Sequence, residues 1–187
     1  MPLDRRTFLK TGMAGFGSIL LVPSCMRPKD PYQFFTSQEA DCLMAICEQV
    51  IPADEWGGGA TEAGVIHYID RQLVAVFHYH QVIYQRGIAA TQATSLEESG
   101  KRFQALDFST QNAMLTRMES GELPVDLWQG VDQAEFFNLV IDHTMQGFYG
   151  SPRHGGNRNY MSYRMMDIDY PLVVGRNHYR HLEDYGK

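Results

Sequence analysis

Between positions 36 and 150, apolar residues recur mostly at spacings of three and four, the period of helices packed on one side. Thr36-x-x-Glu39 has the form of a capping box, in which hydroxyl and carboxylate satisfy a helix's first backbone donors. Ala40, Leu43, Met44, Cys47, Val50 and Ile51 then make a stripe that Pro52 ends. A loop holding Asp54, Glu55, Trp56 and Gly57–Gly59 follows. From about Glu62 a second stripe takes in Ile66, Ile69, Leu73, Val76 and Phe77. His80, Ile83 and Tyr84 continue it, either in one helix or after a bend near His78. The alanine-rich stretch 87–96 predicts further helix, closed by Glu97 to Gly100. Phe103, Leu106 and Phe108 read as anchors of a connecting loop, and Ser109 or Thr110 as the cap of a shorter helix through Met118. Residues 123–130 read as a turn-rich connector.

The organising stretch is 134–159. Ala134, Phe137, Ile141, Met145 and Phe148 form one helical face, and Phe136, Leu139 and Val140 a second row beside it. A helix apolar over more than one face lies at the centre of its domain or against a partner chain. Gly147, Gly150, Pro152, Gly155 and Gly156 then oppose further helix, interleaved with Arg153, His154, Asn157 and Arg158. No segment alternates with period two between hairpin turns. The pattern therefore predicts an all-α fold: a single-domain helical array of about five helices over residues 36–175, with a glycine-rich C-terminal loop. Residues 160–174 read as an irregular wrap, 25–35 as a linker and 176–187 as a polar tail. The 153–159 loop admits three readings: a tight path, an anion cradle of backbone N–H groups and guanidinium forks, or a docking face. Arginine beside aromatics favours docking, with Phe148, Tyr149, Arg153, His154, Asn157 and Arg158 as interface residues.

Composition narrows the function class. The 187 residues are 44% hydrophobic and 12% aromatic, which suits one globular domain and not a disordered chain. Net charge is −6; Arg5, Arg6 and Lys10 against Asp4 give residues 1–24 a charge of +2, leaving −8 for the rest. An acidic domain lacks the cationic surface that nucleic-acid binding requires, so no nucleic-acid partner is expected. No apolar run reaches 20 residues, and no transmembrane helix is predicted. Cys42 and Cys47, five apart on a helix, stand roughly 7.5 Å apart along the axis and about 140° around it. They should not pair with each other and read as small core residues, with a bridge to a partner chain left open.

Asp4-Arg5-Arg6-Thr7-Phe8-Leu9-Lys10 resembles the twin-arginine export signal, two arginines before a Phe-Leu-Lys triplet. Thr11 to Val22 behind it has the length and apolarity of a signal h-region, so residues 1–24 read as a leader. That route carries folded cargo to the periplasm, which implies the twin-arginine translocase as a partner. Val22-Pro23-Ser24-Cys25 resembles a lipobox, departing from it at Pro23. Acylation of Cys25 would tether the domain to a membrane surface; a plain cleavage site near Ser24 is the alternative.

Motifs for resident chemistry are wanting. Gly57–Gly59 has neither the spacing nor the setting of a dinucleotide fold, and neither CxxC nor CxxCH occurs. His78 and His80 lie roughly 200° apart on a helix and cannot share a metal there. His80 reads as a satisfied core histidine, and His143 beside Asp142 as core or interface polarity. His178 and His181 could share a helix face in the tail. Asp54, Glu55 and Asp70 read as solvated charges and not as an acid–base pair. Catalytic, cofactor-binding and metal-ligating residues are all expected to be none.

Three blocks make the chain similar to a known family: Ala45 through Asp54; Ala63-Gly64-Val65 with Ile69 through Leu73; and Gly147 through Gly150, followed by Pro152-Arg153 and Gly155 through Arg158. Lys101-Arg102-Phe103 to Leu106-Asp107 adds to them. Together they resemble gluconate 2-dehydrogenase subunit 3, the small non-flavin subunit of membrane-associated sugar dehydrogenases. The resemblance implies an accessory, non-catalytic subunit whose large partner, of the glucose–methanol–choline oxidoreductase (GMC) type, holds FAD and oxidises a sugar or sugar acid. It implies a cytochrome c subunit carrying haem as a frequent third member, and export of the flavin subunit together with the small one. The site would then be periplasmic, at the membrane surface through a lipid or through the complex. Two rival readings are a stand-alone metalloenzyme using His143, His154 or the tail histidines, and a lipoprotein scaffold or binding module unrelated to redox chemistry.

Overall fold

Thr36 opens the first helix with both halves of the expected capping box. Its hydroxyl accepts the Glu39 N–H at 3.3 Å, and the Glu39 carboxylate accepts the Thr36 N–H at 2.9 Å. The computed structural model describes residues 31–168, so the leader, Cys25 and the 176–187 tail with His178 and His181 lie outside the described residues. Helix α1 is Ser37–Val50, α2 Val65–Leu73, α3 Gln81–Ser99, α4 Phe108–Glu119, α5 Gln133–Tyr149 and α6 Met161–Met165. Short 3-10 turns at His78–His80, Phe103–Ala105, Val125–Trp128, Pro152–His154 and Arg158–Tyr160 connect them. No strand occurs among the described residues, and the all-α class holds. The described residues hold six α-helices against the expected five or so, because the start of the supposed irregular wrap forms the short α6. No helix among the described residues is long and apolar enough to cross a membrane.

α5 is the spine, packed against α1, α2, α3 and α4. Its buried side is Phe136, Phe137, Val140, His143, Thr144, Gly147 and Phe148. The face predicted from Ala134, Phe137, Ile141, Met145 and Phe148 is therefore turned: Met145 is 43% exposed, while Phe136 and Val140 from the second row are fully enclosed. The inner stripe is completed by a histidine, a threonine and a glycine, which hydrophobicity does not register. The second stripe also ends earlier than predicted. After Leu73 the chain turns, Phe77 N–H bonding to Gln72 O and the Gln81 amide donating to Leu73 O at 2.8 Å. Val76 is left 65% exposed and His80 half-buried in a 3-10 turn, so His80 is not the core histidine expected.

Two further expectations change. Asp107, not Ser109 or Thr110, caps α4: its carboxylate accepts the Thr110 N–H at 3.0 Å and both neighbouring hydroxyls. The Ser109 hydroxyl, then the Thr110 N–H and hydroxyl, hold this carboxyl well below the ordinary range. Starting the helix there directs Phe108 outward, whereas Phe103 is buried as predicted. Cys42 and Cys47 are core residues, and burial pushes both thiols up to about 12. A bridge from Cys47 to a partner chain would require unpacking α1 from α5, where the Thr144 hydroxyl lies 3.2 Å from Cys47 Sγ, and one from Cys42 would require unpacking α1 from α3, where Cys42 faces Gln92.

Candidate partner interface

The loop after α5 is shaped by contacts that leave little freedom. Gly150 N–H closes the helix on Gln146 O at 2.9 Å. Gly156 then returns so close to Gly147 that any side chain there would meet the Gly147 carbonyl. The Tyr68 ring covers the other side of Gly147, its hydroxyl donating to Gln146 Oε1 at 2.9 Å. Gly155 takes φ +109°, a left-handed conformation that glycine reaches without a Cβ penalty. Asn157, fully buried, staples the loop: its Nδ2 donates to Gly150 O at 2.8 Å and its Oδ1 accepts the Ser162 N–H at 2.9 Å. Arg158 N–H donates to Ala63 O, joining the loop to the turn before α2. Asn157, Asn159 and Tyr160 all have positive φ. Such backbone costs about 1–2 kcal/mol per residue unless its surroundings hold it, as the Asn157 bonds do at this turn.

This geometry divides the six predicted interface residues. Phe148 and Asn157 face the interior of their own chain, one as core and one as staple. Tyr149, Arg153, His154 and Arg158 point outward from the fixed backbone.

Two residues that sequence reading missed complete the same surface. His67 and Arg71 lie one turn apart on α2. With Pro152, Gly155, Gly156, Arg158 and Asn159 they line a groove of about 430 Å³. Burial, followed by the nearby Arg158 and with Arg71 adding, draws His67 below its ordinary value against the pull of Asp70. Their i, i+4 spacing on the polar side of the α2 stripe was the available signal.

The neighbouring Asp70 is not the solvated charge predicted. It is 3% exposed and its carboxylate gathers the backbone N–H groups of Gln33, Phe34 and Phe35 at 2.8, 2.9 and 3.2 Å. Those residues fall in the stretch read as linker, and Phe35 is part of the core. Asp54 instead folds its own loop, Oδ1 accepting the Trp56 and Gly57 N–H groups at 2.8 and 3.1 Å. Trp56 is 77% exposed beside a cleft lined by Met161, Arg164 and Met165. His143 is enclosed between Phe77 and Tyr84. Among the described residues no three His, Cys, Asp or Glu side chains gather where they could hold a metal ion.

Residues 37–169 match the profile of gluconate 2-dehydrogenase subunit 3. The chain belongs to that family. No curated protein and no solved structure matches it. Subunit 3 proteins are non-catalytic accessory subunits of FAD-dependent sugar or gluconate dehydrogenase complexes, and this chain is one of them. The glycine loop lies inside the matched span, as do Asp70 and both groove arginines.

Proposed function

We propose that this subunit 3 docks onto an FAD-containing, GMC-type large subunit through Tyr149, Arg153, His154 and Arg158, stabilises it and escorts it into the periplasm by the twin-arginine route. The observation that carries the docking face is a backbone fixed from within, at Asn157 and Gly156, that presents four outward side chains. A rigid loop bearing aromatic and arginine groups loses little entropy on binding and can use its anchors fully. The leader with Arg5, Arg6, Phe8, Leu9 and Lys10 supplies the address for a folded pair bound for the periplasm. Contact with the membrane surface comes through acylation of Cys25 or through a haem-bearing cytochrome c subunit of the complex.

Affinity-tagged chain recovered gently from native membranes is expected to bring a flavin-containing polypeptide with it. Recovery of this chain alone would overturn the docking reading. Replacing Arg5 and Arg6 with lysine is expected to leave both proteins in the cytoplasm, and a partner that still reaches the periplasm would overturn the escort.

A further inference from the structure

We infer that the groove between α2 and the glycine loop is a carboxylate-binding site, in which Arg71 and Arg158 grip an aspartate or glutamate side chain of the flavin subunit. The inference rests on the docking proposed above and names the chemistry of its central contact.

The two guanidinium groups come from different parts of the chain and line one groove. Arg71 stands on α2, against the loop: a side chain at Gly155 would lie 3.1 Å from its Cδ. Arg158 is fixed at its backbone by Ala63 and lays its guanidinium over Gly64, 3.1 Å from where a Cβ would stand. Among the described residues the one ion pair is Arg117 with Glu98, so neither groove arginine has a carboxylate partner there. The obvious internal candidate, Asp70, has both oxygens committed to the Gln33, Phe34 and Phe35 amides. Two unpaired forks converging on one space suit a planar anion that can accept parallel hydrogen bonds.

The occupant is a partner side chain because the groove continues the docking face, Arg158 belonging to both. Charge points the same way. A chain of net charge −6 repels an acidic surface in general, so a local cationic groove confers register on one that must dock.

The test uses the full chain co-expressed with its flavin subunit. Arg71→Gln, Arg158→Gln, the double variant and Arg→Lys versions are compared for affinity at low and high salt, with Arg117→Gln as control. Each glutamine is expected to weaken association about tenfold or more, with lysine recovering part of the loss and the control unchanged. The double variant is expected to lose most of the salt dependence. A double variant that binds the flavin subunit with unaltered affinity and salt dependence overturns the inference and removes Arg158 from the docking face, leaving docking through Tyr149, Arg153 and His154 standing. Wild-type chain that recovers no flavin subunit overturns both. Titration of the free chain with acetate and gluconate followed by NMR separates the sources. Weak binding confined to the groove supports the assignment, whereas tight gluconate binding with arginine-independent docking makes this a small-acid site and overturns it.

Discussion

Tyr84 and His143 meet in the interior with the phenol oxygen 2.8 Å from imidazole Nδ1 and the two rings within 7° of parallel. Phe77 stacks on the imidazole at 4.5 Å. The pair fixes α3 to α5 without burying charge, because burial raises the phenol well above its ordinary value and lowers His143 to about 4. Desolvation is the main cause for the histidine, His80 adds to it and Asp142 opposes it.

Stability should therefore fall in mild acid. Unfolded, His143 titrates near 6.5; folded, it resists protonation until about 4. The unfolded chain binds more protons between those values, so stability is full above the upper one, declines as pH drops and levels off below the lower. The full effect is on the order of 3 kcal/mol. His67, also lowered, acts with the same sign. Melting temperatures between pH 6.5 and 5 should show the decline, and the Tyr84→Phe/His143→Phe double variant should flatten it. An unchanged slope would assign the effect elsewhere.

Asp70→Asn should loosen the entry of the chain into the domain. Oδ2 accepts the Gln33 N–H, while Oδ1 accepts those of Phe34 and Phe35. An amide keeps one acceptor and turns a donor toward another donor. We expect a loss on the order of 3 kcal/mol, since bonds to a buried charge exceed ordinary ones and one N–H is orphaned. Chemical denaturation measures the total, and hydrogen exchange at residues 33–35 should report faster opening.

The pattern of apolar positions revealed the helices where their signals were local. The Thr36–Glu39 box, the stop before Pro52 and the left-handed Gly100 after α3 all lie within a few residues of what they control. It missed what depends on distant partners. Asp70 serves amides more than thirty residues away, and a lone carboxylate looks solvated until they are found. Ser109 and Thr110 are good caps by type, yet they donate to Asp107. In the glycine loop, residue type suggested contact, while the fold enclosed Phe148 and Asn157 and brought in His67 and Arg71 from α2.

Gly156→Ala should unfold the loop's close approach. The added carbon would meet the Gly147 carbonyl, a backbone atom inside the helix that cannot swing aside. About 3 kcal/mol of destabilisation is expected, with the effect passed to the Asn157 bonds. Gly121→Ala is the control: that glycine has φ +71° but open space around it. It should cost only the left-handed penalty of about 1 kcal/mol. Equal losses at the two positions would mean that the loop yields to the added carbon and that the contact with Gly147 does not govern it.

Phe148 and Tyr149 are chain neighbours with opposite duties, one 1% exposed and the other 41%. Phe148→Ala removes a core ring and should cost about 3–5 kcal/mol in stability. Alanine at Tyr149, Arg153 and His154 together should leave the melting temperature within a few degrees, because their side chains face out from a backbone held by other residues. The triple variant should instead lower recovery of the flavin subunit, and Phe148→Ala should do so only in proportion to the unfolded fraction. Co-purification and thermal melts of the same preparations separate the two. If the triple variant melts normally and retains its partner in full, these outward residues do not form the docking face.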